Sequence, residues 1–99
     1  MRLTEQTCDI IRQTVRELFG PGATVSLFGS RVDDSARGGD IDLLVEISSV
    51  VENRASAASR LAARLQMQLG DQRIDVLLLD PATRQQPIHS IARETGIRL

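Results

Sequence analysis

The chain switches between two hydrophobic rhythms. Near the N-terminus the apolar positions Cys8, Ile11, Val15 and Leu18, with Ile10 and Phe19 beside them, fall three and four apart. That spacing lines one face of a helix. Thr4 is placed to cap its start, and Gly20-Pro21-Gly22 stops it. From Ala23 to Phe28 the period becomes two, with Ala23, Val25 and Leu27 alternating against Thr24, Ser26 and Phe28, so a short strand is expected. A loop rich in Asp, Ser and Gly runs from Arg31 to Gly39, and Asp40 to Ile47 reads as a second strand. The helical rhythm returns at Ala58, Leu61, Ala62, Leu65 and Leu69, starting from Ser49 or Asn53 and ending at Gly70. Arg73 to Leu79 is a third strand, and Asp80-Pro81 marks a turn. Pro87 is well placed to open a last helix carrying Ile88, Ile91 and Ala92, with Gly96 as its stop. The order is αβ(α)βαβα, the bracketed turn of helix beginning near Ser30. It predicts an α/β (α+β) fold, one small sheet with helices against it, in a single domain over residues 1–99.

Three acids interrupt the strand patterns. Asp40 and Asp42 lie in Gly39-Asp40-Ile41-Asp42-Leu43-Leu44-Val45, and Asp75 lies in Arg73-Ile74-Asp75-Val76-Leu77-Leu78-Leu79. Strands are depleted in Asp because a carboxylate is costly on a half-buried pleated surface. Alternation puts Asp40 and Asp42 on one face, roughly 6–7 Å apart along the strand. Leu44 and Glu46 share that face; Ile41, Leu43, Val45 and Ile47 make the other. Asp75 shares its face with Leu77 and Leu79. If the two strands pair, the three carboxylates converge. A hard divalent cation, Mg²⁺ or Mn²⁺, is the simplest reason to gather them, since such ions take carboxylate oxygens together with waters and phosphates.

A phosphate-binding element precedes the acids. Leu27-Phe28-Gly29-Ser30-Arg31 ends the first strand. Gly29 lets the backbone approach a ligand closely. Ser30 offers a hydroxyl, Arg31 a planar fork suited to phosphate, and a helix starting near Ser30 its positive end.

Apolar-Gly-Ser, a spacer, Asp-apolar-Asp-apolar and a later apolar-Asp-apolar together resemble the DNA polymerase β-type nucleotidyltransferase superfamily. Within it the pattern is similar to the minimal nucleotidyltransferases, the MntA-like antitoxins encoded beside HEPN toxins. The matching residues are Gly29, Ser30, Asp40, Asp42 and Asp75, within a stretch from Val25 to Leu79. Two departures are a Gly at position 39, where many relatives carry Ser, and a short spacer from Arg31 to Gly39. The resemblance implies a nucleotidyltransferase fold with a mixed sheet. It implies Mg²⁺ held by Asp40 and Asp42, phosphates held by Gly29 and Ser30, and Asp75 positioning or deprotonating the attacking hydroxyl. It also implies transfer of a nucleoside monophosphate, AMP from ATP, to a HEPN-family toxin. No base-reading residue is identifiable in the sequence.

Composition narrows the alternatives. All twelve basic residues are arginine and the net charge is −1, which argues against a broad nucleic-acid surface. With no Trp or Tyr and two Phe, base-stacking platforms are scarce. One cysteine excludes an internal disulfide and suits a reducing, cytoplasmic compartment. No stretch reaches the length of a membrane span. Ninety-nine residues leave little room for an acceptor-binding domain, so the acceptor is expected on a partner protein. The competing expectations are a masking antitoxin without catalysis, a small-molecule nucleotidyltransferase similar to aminoglycoside-modifying enzymes, and a nucleotide-binding regulatory subunit.

Each singled-out residue also has a structural reading. Asp40 and Asp42 can simply end a strand at the Gly38-Gly39 turn, and Asp75 can pair with Arg73. Arg31 and Arg37 can be solvated loop charges, and Glu46 a rim acid. Cys8 fits a core, and His89 a surface or packing position. Arg54, Arg60 and Arg64 fit the wet face of the second long helix.

Overall fold

The computed structural model describes residues 3–28, 41–70, 73–82 and 96–99. In chain order these residues form α1 (Glu5–Phe19), β1 (Thr24–Phe28), β2 (Ile41–Glu46), α2 (Arg54–Leu69), β3 (Ile74–Leu79) and β4 (Ile97–Arg98). The last helix expected after Pro87 lies outside the described residues.

Both long helices begin and end where their sequences direct. The Thr4 side chain accepts a hydrogen bond from the Thr7 N–H at 3.1 Å, and the Asn53 side chain accepts one from Ser56 at 3.0 Å. Asn53, rather than Ser49, is therefore the N-cap of α2. Gly20 and Gly70 close the two helices at φ of 88° and 87°, a region in which any side chain would be strained. Arg54, Arg60 and Arg64 are exposed on α2 as expected, though Arg64 also reaches Glu17 of α1 at 3.1 Å. Among the described residues, no helix is long and apolar enough to cross a membrane.

The sheet has the order β3-β2-β1-β4. β2 and β3 run parallel, with α2 as the crossover between them, while β1 is antiparallel to both β2 and β4. The mixed sheet matches the expectation. β4 is an element that the helix-stop signal at Gly96 does not predict. Its two residues pair with Ser26 and Leu27 of β1, and two residues are too few to show a period.

One face of the sheet packs on the helices. Ile11 and Val15 of α1 and Leu61 and Leu65 of α2 share a core with Val25, Leu27, Ile41, Leu43, Val45, Ile74 and Leu78. Each such side chain contributes about 1.5–3 kcal/mol through burial. Thr14 joins the helices from within: its hydroxyl donates to the Ile10 carbonyl at 2.8 Å and accepts from the Gln68 amide at 3.0 Å. On the opposite face a smaller cluster gathers Leu44 and Leu79 with Phe28 and Leu77.

The acid at the end of β3 is structural. The Asp80 side chain is fully buried. It accepts hydrogen bonds from the backbone N–H of Val51 at 2.9 Å and of Ala82 at 3.1 Å, and pairs with Arg54 at 3.2 Å. It therefore ties the exit of β3 to the connection that leads into α2.

Candidate active site

The parallel register of β2 and β3 sets Asp42 directly beside Asp75. Neighbouring strands lie about 4.8 Å apart, and directly paired residues point to the same face, so the two carboxylates are adjacent. On the other side of Asp42, β1 contributes Phe28 as its partner. The row Phe28–Asp42–Asp75 thus crosses three strands where β1 ends and β2 and β3 begin. The next two rows on this face are Ser26–Leu44–Leu77 and Thr24–Glu46–Leu79. Carboxylates at one edge are backed by an apolar patch further along.

The two acids differ in setting. Asp42 is half-buried between two strands, whereas Asp75 is exposed on the edge strand β3. The Nε of Arg73 lies 3.6 Å from an Asp75 carboxylate oxygen. The ion pair weighed as the structural reading of Asp75 is therefore present, but its partners are 72% and 51% exposed. An ion pair this open contributes little to stability, so it does not by itself account for an acid in a strand. Asp40, Gly29, Ser30 and Arg31 lie outside the described residues, as do Arg37 and His89.

The donor chemistry fits a hard divalent cation. Mg²⁺ is typically held by one or two carboxylates, with substrate phosphates and waters completing its shell. Asp42 and Asp75 supply two carboxylates on one face. Among the described residues no third ligand-type side chain joins them. Two adjacent carboxylates repel one another, and a cation between them relieves that repulsion.

Two other features do not compete with this row. A shallow concavity on α1 is lined by Asp9, Arg12, Gln13, Arg16 and Glu17, all from one helix, and Asp9 and Arg12 are already paired. Cys8 is 4% exposed, and burial pushes its thiol pKa above the ordinary value of 9.0 against the opposing pull of Arg12. A protonated, enclosed thiol is a packing side chain rather than a nucleophile.

Phe28 and Asp80 have roles that their local sequence does not signal. Alternation puts Phe28 on the polar side of its strand, but its place beside Asp42 depends on the β1–β2 register. Asp80-Pro81 signals a turn; the Ala82 contact is local, but those to Val51 and Arg54 span 29 and 26 residues.

A mixed sheet with a parallel β-α-β crossover, helices on one face and paired aspartates at the strand starts on the other defines a protein of nucleotidyltransferase architecture. The family pattern described as "Nucleotidyltransferase domain" matches residues 8–95, and the chain belongs to that family. No curated protein matches the chain significantly. Solved structures do. One is a tri-AMPylated Shewanella oneidensis HEPN toxin in complex with MNT antitoxin: 23% identity, TM-score 0.68, 97% of this chain and 71% of that one covered. A second is the toxin–antitoxin complex MntA–HepT, at 22% identity and TM-score 0.66, covering 96% and 70%. A third is a candidate nucleotidyltransferase of Sulfolobus solfataricus, at 19% identity and TM-score 0.59, covering 94% and 76%. These likenesses establish the shared fold, and the expected resemblance to minimal nucleotidyltransferases holds at the level of family and fold.

Proposed function

We propose that this chain is a metal-dependent nucleotidyltransferase that moves a nucleoside monophosphate, AMP from ATP, onto a protein acceptor, and that the acceptor is a HEPN-family toxin it neutralises. The observation that carries the reading is the Asp42–Asp75 pair, side by side on one face of a sheet of this family. The likeness in fold to an MNT antitoxin solved with a tri-AMPylated toxin supports the choice of acceptor.

In this reading Asp40, Asp42 and Asp75 would hold Mg²⁺, which when bound would neutralise charge on the triphosphate. Gly29, Ser30 and Arg31 would bind the phosphates. Asp75, open to solvent on the edge strand, orients the acceptor hydroxyl and takes its proton. The acceptor oxygen bonds to the α-phosphorus, the bond from that phosphorus to the bridging oxygen breaks, and pyrophosphate leaves with the electron pair. The chain has no tyrosine, so a tyrosine acceptor has to come from another protein.

Intact mass spectrometry of the toxin tests this. Co-expressed with the wild-type chain, the toxin gains one or more nucleoside monophosphate units. Asp40→Ala with Asp42→Ala removes both the added mass and the protection of the cell. If the double variant still protects fully and the toxin mass never changes, neutralisation is by masking and the enzymatic reading fails.

A further inference from the structure

This inference rests on the metal-site reading above and concerns Arg73, which that reading leaves without a task. Arg73 precedes Asp75 by two residues, so both side chains leave the same face of the chain. The backbone of Arg73 is fixed at the strand entrance, where its carbonyl accepts from the Ile41 N–H at 2.9 Å. Its side chain is 72% exposed, and its Nε sits 3.6 Å from the Asp75 carboxylate, which is itself the neighbour of Asp42. That separation is longer than a hydrogen bond, so the contact is chiefly Coulombic. A positive charge therefore already stands beside Asp75.

We infer that Arg73 is a displaceable counter-ion: it balances Asp75 before metal binds, then gives up that carboxylate and turns its guanidinium to the incoming triphosphate. The weakness of the contact is what such an exchange needs, since an exposed ion pair is cheap to break. The fork geometry of guanidinium suits phosphate oxygens as well as carboxylate oxygens. Arg73 and the metal compete for Asp75, whereas Arg73 and the nucleotide cooperate. A residue that merely supported the strand would not separate these two effects in sign.

Calorimetric titration of the full chain tests the exchange, first with Mn²⁺ alone and then with ATP at saturating Mn²⁺. Arg73→Gln is expected to bind Mn²⁺ about two- to fivefold more tightly, the range set by the strength of an exposed ion pair. The same variant is expected to bind ATP about tenfold more weakly, the low end for a charge-assisted hydrogen bond. Arg60→Gln makes the same change of charge on α2, across the sheet from the acids, and is expected to move neither value. Mn²⁺ affinity that is unchanged or weaker in Arg73→Gln overturns the inference, and so does unchanged ATP affinity. Asp42→Asn separates this failure from that of the underlying reading: if it binds Mn²⁺ as the wild type does, the metal site itself is wrong.

Discussion

The two faces of the sheet are built from the same strands and solve different problems. On the helix side the rows read Leu27–Leu43–Val76 and Val25–Val45–Leu78, apolar throughout and covered by α1 and α2. On the other side the rows begin with Phe28–Asp42–Asp75, and apolar cover resumes only at Leu44, Leu77 and Leu79. One face accounts for folding. The other gathers like charges at a strand edge, which folding alone would avoid. In the proposed function, stability and chemistry are divided by the pleat, one residue apart along β2.

That division is broken most severely from the helix side. Leu61 is 0% exposed in the core between α2 and the sheet. Leu61→Ala removes three buried carbons, and is expected to cost about 2–5 kcal/mol in urea unfolding. The comparison predicts that any fraction of Leu61→Ala still folded binds metal and nucleotide as the wild type does. Loss of binding in a folded Leu61→Ala sample would mean that the two faces are coupled.

The acid side is expected to respond in the opposite way. Asp42→Asn removes one of two neighbouring negative charges while keeping the shape of the side chain. Its melting temperature without metal should equal or exceed that of the wild type. The wild type should gain about 2.7 kcal/mol from Mg²⁺ and ATP at a hundred times the dissociation constant, and Asp42→Asn should lose that gain. A large loss of stability in metal-free Asp42→Asn would make the acid a structural one and erase the contrast between the faces.

Much of this division is legible in the sequence. The period of two places Asp42 and Asp75 on the faces they occupy, and the period of three and four identifies Ile11, Val15, Leu61 and Leu65 as the faces the helices bury. Pairing is not legible, because alternation fixes which face a residue takes and not which strand lies beside it. The β2–β3 neighbourhood was conditional, the Phe28–Asp42 partnership unseen, and β4 missed. Asp80 shows the same limit. A Pro after an Asp signals a turn, and the contact with Ala82 is a turn contact, but the burial of Asp80 depends on Val51 and Arg54 arriving from the far end of β2. Arg73 and Asp75 were readable as a pair because two residues on a strand bring them to the same face, which needs no partner strand.

The smallest expected effect lies on the helix side, at Cys8. Burial raises its thiol pKa above the ordinary 9.0, so the folded chain keeps the proton at a pH where the unfolded chain has begun to lose it. From there upward the unfolded state binds fewer protons than the folded one, and stability falls as pH rises; the contribution is complete below pH 9.0 and is lost through the raised folded value. The sequence makes this unusually easy to isolate. With no lysine and no tyrosine, Cys8 is the only side chain that titrates in the alkaline range before arginine. The slope of stability against pH above 9.0 is therefore expected to be at most about 1.4 kcal/mol per unit, one proton's worth, in urea unfolding of the wild type. Cys8→Ala should flatten it at a modest cost in packing. The thiol should also resist labelling by an aromatic disulfide until the chain is unfolded. An alkaline slope that survives in Cys8→Ala would place its origin outside the helix-covered core, and rapid labelling of the folded chain would show that this face is not closed over Cys8.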